Sequence, residues 1–292
     1  IGGVKKYIDY IRDGELKDLV SNWIYNAPRF YTSLKHDIYS VSTAKSIDQG
    51  DTIYNYLKSI DKIPVLDYTT DSEPICIAGM QITFLSPTIS KLAKLREEYS
   101  VIPLKSFEVI EDESISEAVG IVKNDYQKKF TDFDLSKWKE DVNIENGSSI
   151  SFITEVDGQK ILWLADSHPS DVVKSLLNLG YSSENRVKCE LVKVTHHGSK
   201  GNNSNALFDL IDCEKFIFSA NGENKYKLPS KESIARILRN KNRNLENKYI
   251  LYFTYDNDTL RNIFENEGDT IYTDLNFEVI FSKENAIKFN LI

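Results

Sequence analysis

Apolar residues near the start of the chain fall at Val4, Tyr7, Ile8 and Ile11, with charges between them. That three-to-four spacing predicts a helix over 4–19. The spacing returns over 46–60, where Ile47, Ile53, Leu57 and Ile60 share a face. At ICIAGMQITFL, residues 75–85, the period changes to that of a strand, a turn at Ala78-Gly79 and a second strand, stopped by Ser86-Pro87. Residues 88–145 are polar and charged, with helical stretches predicted over 90–99 and 114–128. This segment is expected to be an insertion or cap within a single domain spanning 1–292.

From Ser149 onward the pattern is crisper. Residues 149–156 and 160–165 (KILWLA) read as strands around an Asp157-Gly158 hairpin turn. Ser170 is expected to cap a helix running to Leu179, with Gly180 as its stop. Short apolar strands follow over 190–195 and 215–220, Pro229-Ser230 opens a helix over 231–239, and three further strands are predicted over 249–255, 276–281 and 286–291. Strands alternating with helices predict a layered α/β body. The chain carries no internal repeat.

The 292 residues include 36 Lys and Arg against 44 Asp and Glu, a formal net charge of −8. That balance argues against a broad nucleic-acid-binding surface. Apolar residues make up 41% of the chain, enough for a packed core. They never run to the ~18 needed for a membrane span, so no membrane partner is expected. Cys76, Cys189 and Cys213 are far apart and show no Cys-x-x-Cys spacing. This excludes a zinc ribbon, argues against a disulfide framework and predicts a reducing, cytoplasmic location. The chain opens with Ile1-Gly2-Gly3 and no initiator Met, so a start is expected to lie upstream.

The candidate chemistry gathers at predicted strand ends. In LVKVTHHGSKGNNS, residues 191–204, an apolar strand ends in His196 and His197, two of only four histidines in the chain. One reading is metal coordination by one imidazole with the other in support; the other is a half-buried histidine satisfied within a turn. In ILWLADSHP, residues 161–169, a strand ends in Asp166, a carboxylate able to bridge divalent metals or simply a strand-end charge. His168 reads as a rim hydrogen-bonding group. Asn146 and Ser149 in the turn before the 149–156 strand, and Asn221 after KFIFSA, are candidate substrate-side groups whose plainer reading is a turn. Ser199 lacks a Gly-x-Ser-x-Gly elbow and sits on the same turn as His197, so a serine hydrolase is disfavoured. Neither Gly-x-Gly-x-x-Gly nor a Walker A loop is present.

In order, N-x-S-S-x-x-F (146–152), LWLAD (162–166), VTHHGSKGN (194–202) and FSANG (218–222) resemble the metallo-β-lactamase-fold hydrolases, in particular the hydrolase domain of DNA-uptake competence proteins. The resemblance implies a four-layer αββα sandwich, with two zinc ions (manganese as an alternative) about 3.5–4 Å apart at one edge. It further implies that Asp166 matches the bridging carboxylate and that His196 or His197 matches the late histidine ligand. The implied reaction is hydrolysis of a phosphodiester by a metal-bound hydroxide, with His197 and Lys200 at a phosphate oxygen and Asn146, Ser149, Ser199 and Asn221 on the substrate side.

Three departures stand against it. The family's His-x-His-x-Asp-His motif is not in this sequence, whose Ile1-Gly2-Gly3-Val4 resembles the residues just after that motif. Leu228-Pro229 stands where the family has His-Pro, and Ala165-Asp166 where it has Gly-Asp. The expectation is a sandwich truncated at its N-terminus, inactive by itself for want of ligands. The alternative is a non-catalytic interaction subunit with an eroded metal site.

Overall fold

The structure, a computed structural model, describes residues 2–29, 41–101, 124–284 and 287–289. The chain divides into two compact units, Ile1–Ser72 with Thr88–Glu117 and Glu73–Pro87 with Ala118–Ile292.

The first unit is helical. Helix α1 (Gly2–Arg12) is shorter than its apolar spacing predicts, because Gly14 takes φ +75° and the Glu15 and Leu16 amides turn back onto the Tyr10 carbonyl. Helix α2 (Val41–Ser59) packs on α1 through Ile53, Tyr56 and Leu57 against Ile8. Ile47 of α2 meets Tyr99 of α3 (Ile89–Val101). The Arg29 guanidinium forms a buried two-pronged pair with Asp51, both contacts at 2.8 Å.

The second unit carries a sheet of eight strands in the order β1-β2-β3-β4-β6-β8-β9-β10, and a separate pair β5-β7. Its helix-and-strand content bears out the α/β reading. Strands β1 (Ile75–Ile77) and β2 (Met80–Ser86) form a hairpin through Ala78 (φ +50°) and Gly79 (φ +84°), the left-handed pair of a two-residue turn. Strands β3 (Ser151–Val156) and β4 (Gln159–Trp163) repeat the device at Asp157 and Gly158. Short helix α4 (Ile144–Gly147) precedes β3.

Beyond β4 every pairing in the main sheet is parallel, so each link crosses over. The crossovers contain α5 (Pro169–Asn178), β5 (Val187–Lys188), α6 (Asn205–Phe208), β7 (Ile211–Asp212), α7 (Lys231–Leu238), and the single turns α8 (Asp258–Arg261) and α9 (Ile271–Asp274). The sheet strands they connect are β6 (Leu191–Lys193), β8 (Lys215–Phe218), β9 (Tyr249–Phe253) and β10 (Phe277–Phe281). One large core joins Leu162 and Leu164, Val192 and Val194, Phe216 and Phe218, and Leu251 and Phe253 from the strands to Val172, Leu176 and Ile234 from the helices. Tyr126, Phe130 and Phe133, inside the polar stretch 88–145, are buried in the same core.

Local expectations shift in three places. Helix α5 is capped by His168 with Pro169 in its first turn, not by Ser170, whose amide and hydroxyl both bond to the Glu140 carboxylate. Of the helix expected over 114–128, residues 114–123 lie outside the described residues and 124–128 form a turn. Of the strand expected over 286–291, only 287–289 are described, and they are not in a strand. Among the described residues no helix is long and apolar enough to cross a membrane.

Candidate functional site

Parallel strands expose their carboxyl ends along one edge of the sheet, where ligand groups of open α/β sheets collect. Here β4, β6 and β8 are neighbours, and each ends at one of the marked segments. After β4 the chain passes buried Leu164 and turns at Ala165 (φ +46°) into Asp166. After β6 it runs through Val194 and Thr195 into His196 (φ +43°), His197 (φ +54°) and Gly198 (φ +85°). Side chains beyond glycine resist this left-handed region at a cost of ~1–2 kcal/mol per residue. The surroundings hold it in place: the His196 amide donates to the Ala165 carbonyl at 2.7 Å, and the Ser230 amide to the Gly198 carbonyl at 3.0 Å. Strain of this kind concentrates at functional sites.

A buried polar cluster orients His196. Asn202 is fully buried, and its Nδ2 has three acceptors around it: Asp141 Oδ2 at 3.1 Å, the Asp166 carbonyl at 3.2 Å and the Ser167 carbonyl at 3.4 Å. Three acceptors fix the amide's orientation, so Oδ1 faces His196 Nδ1 at 2.9 Å and takes its proton. The other ring nitrogen, Nε2, has no hydrogen bond to a described residue. Asp141 accepts from the Asn143 amide (3.0 Å) and from Asn146 Nδ2 (2.6 Å), and lies 3.8 Å from His196 Nδ1. Burial pushes the Asp141 carboxyl up, but the bonds from Asn143, Asn146 and Asn202 and the neighbouring His196 outweigh it, and the net shift is downward.

The exposed His197 ring is held by the same end. Its Nδ1 donates to the Ser219 carbonyl beyond β8, leaving its Nε2 outward. The two imidazole centroids are 6.0 Å apart. Half-buried Asp166 makes no side-chain hydrogen bond or ion pair with a described residue. Lys193, the last residue of β6, donates to the Val194 carbonyl at 2.9 Å; burial pulls its amine down to about 8, against the opposing pull of the Asp166 charge. Thr195 Oγ1 and Asn203 Oδ1 are buried beside the histidine turn with no hydrogen-bond partner among the described residues, a departure from the usual satisfaction of buried polar atoms.

The remaining candidates are distributed around this edge. Asn146 is committed to Asp141. The Ser149 amide donates to the Asn146 carbonyl, and its own carbonyl takes the Ser86 hydroxyl at 2.7 Å. Ser199 bonds through its backbone to His196 and Asn203. Lys200 is exposed, and its carbonyl accepts from the Trp138 indole at 2.8 Å. Asn221 Oδ1 accepts from the Glu223 amide at 3.1 Å, the turn reading of that residue. His168 is 6% exposed rather than on a rim, with Nε2 3.0 Å from the Asn143 carbonyl.

Sequence reading missed Asp141, Asn202 and Lys193. Lys193 has a legible signal, a cation inside an otherwise apolar strand; Asp141 has none, lying in a charged loop far from the histidines in sequence. The donors present, imidazole Nε2 and carboxylate oxygen, are those zinc and manganese accept. Their number is short: among the described residues no three His, Cys, Asp or Glu side chains converge on one point. Compared with protein-family models, curated proteins and solved structures, the chain matches none.

Proposed function

We propose that this strand-end edge is part of a metal-dependent hydrolase centre acting on a phosphodiester, in nucleic acid or a nucleotide. The observation that carries the reading is the arrangement of the histidines. Both have Nδ1 engaged by an acceptor and Nε2 without a hydrogen bond to a described residue, and the His196 amide bonds the Ala165 carbonyl, one residue before Asp166, whose carboxylate has no hydrogen-bond partner among the described residues. Anchoring one ring nitrogen so that the other can ligate is what outer-shell partners of metal-bound histidines do. The Asn202–Asp141 pair serves His196 in this way, and the Ser219 carbonyl serves His197. Exposed His197 and Lys200 are suited to meet an anionic substrate.

Bound here, a divalent ion would supply an activated water and draw charge from a phosphoryl oxygen. A catalytic zinc needs three protein ligands, and no three converge among the described residues, so the reading requires others. The resemblance to the metallo-β-lactamase fold supplies them from a His-x-His-x-Asp-His motif, which this sequence does not contain. The four-layer αββα arrangement and the phosphodiester substrate rest on the same resemblance.

The test is elemental analysis of the full-length protein, wild type and Asp166→Ala, alongside hydrolysis of a chromogenic phosphodiester. One or two zinc or manganese ions per chain, lost together with hydrolysis in a folded Asp166→Ala, is the expected result. A folded protein with no metal and no hydrolysis would favour the second reading, an interaction subunit built on the same fold. That reading is supported by the incomplete ligand set and by Leu228 at the position where the family carries a histidine.

A further inference from the structure

Strands β5 and β7 pair in parallel apart from the main sheet, Val187 opposite Ile211 and Lys188 opposite Asp212. The next residue on each is a cysteine, and the ladder continues into them, because the Cys189 amide donates to the Asp212 carbonyl at 3.0 Å. Side chains opposite each other in a parallel ladder share a face, and paired strands run ~4.8 Å apart. That separation falls inside the ~4.4–6.8 Å between α-carbons that a disulfide spans. The Cys189 sulfur also reaches the other strand, with Sγ 4.0 Å from the Asp212 carbonyl next to Cys213. Further sulfur contacts run to backbone carbonyls, Cys213 Sγ to Lys215 at 3.2 Å and Cys189 Sγ to Val187 at 3.9 Å. Cys213 is buried and Cys189 half-buried, while Cys76 is exposed on β1.

We propose that Cys189 and Cys213 are an oxidation site, a thiol pair that closes to a disulfide in exchange with a small-molecule disulfide. Cys189, the more accessible of the two, attacks a sulfur of the small disulfide as thiolate, releasing one thiol and leaving a mixed disulfide. Cys213 then attacks the Cys189 sulfur and releases the second thiol. Two cysteines are oxidised, one small disulfide is reduced to two thiols, and the two cysteine protons end on those thiols. Neighbouring Cys213 and burial push the Cys189 thiol up, which slows the first step. The second is intramolecular between residues at neighbouring ladder positions, so the mixed disulfide does not accumulate.

Residues 190–212, between the two sulfurs, contain β6, His196, His197 and Asn202. Oxidation therefore closes a covalent loop around the central strand of the histidine edge. The proposal is independent of the hydrolase reading and does not require a metal.

The test uses the folded full chain carrying Cys76→Ser, treated with dipyridyl disulfide and followed by thiopyridone release and intact mass. Expected are two thiopyridones per chain, a mass lower by two hydrogens with no adduct, and a peptide map joining Cys189 to Cys213. Adding Cys213→Ser should stop the reaction at one thiopyridone, with a stable adduct on Cys189. A persistent adduct when both cysteines are present, or reaction only after denaturation, would overturn the proposal.

Discussion

Asn202 shows how much one side chain decides at this edge. It has no solvent exposure, and its amide meets Asp141, the carbonyls of Asp166 and Ser167, and His196. It thereby links the tip of β4 to the tip of β6 and sets the histidine tautomer. Gly198, two residues past His196, is constrained differently. Its φ is +85°, and a Cβ built there would stand 2.6 Å from Pro229 Cβ and 3.0 Å from the Phe218 ring. Left-handed strain and overpacking would act together, so Gly198→Ala should cost about 3 kcal/mol. Urea denaturation checks this: a loss under ~1 kcal/mol would mean that Pro229 and Phe218 yield easily.

Among the elements, α7 is docked by a charge pair taken out of water. Lys231 Nζ lies 2.6 Å from Glu267 Oε1, both side chains essentially unexposed, and over the Phe130 ring at 4.9 Å. Glu267 also accepts from the Phe130 amide at 2.8 Å. Removing one partner strands a buried ammonium, so Glu267→Gln should destabilise by ~3–5 kcal/mol. By contrast Lys137→Ala, which deletes an exposed 3.1 Å pair with Asp134, should cost under about 1 kcal/mol. Denaturation midpoints of the two variants, compared at one pH, test the contrast; equal losses would mean the buried pair contributes no more than a surface one. The hairpins at Ala78-Gly79 and Asp157-Gly158 were legible because a two-residue turn needs two left-handed residues and little else. The cap of α5 was not, since Glu140 reaches Ser170 from thirty residues away.

At the scale of the whole molecule, the large core controls the response to alkali. Burial pushes the Tyr249 hydroxyl up to about 12 and moves Tyr126 in the same direction. Both are raised in the folded state, so their contribution is fully present below the unfolded value near ~10 and is lost as pH climbs towards the folded values. Stability should therefore fall between pH ~10 and ~12. A tyrosine absorbance titration in step with denaturant midpoints measures it, and a flat midpoint across that range would contradict it.

The sequence by itself determined the longer helices α2, α3, α5 and α7, the strands of the main sheet, the two hairpin turns and the strand-end positions of Asp166, His196 and His197. Those features depend on the period of apolar residues and on the φ preferences of a few neighbours, which are local quantities. Only the tertiary structure decided that Asp141 and Asn202 hold His196, that Lys231 meets Glu267, and that Cys189 and Cys213 stand side by side. A polar side chain can satisfy its hydrogen bonds with any partner the fold delivers. Which one it meets is set by strand order and crossover, and that choice leaves no periodic trace along the chain.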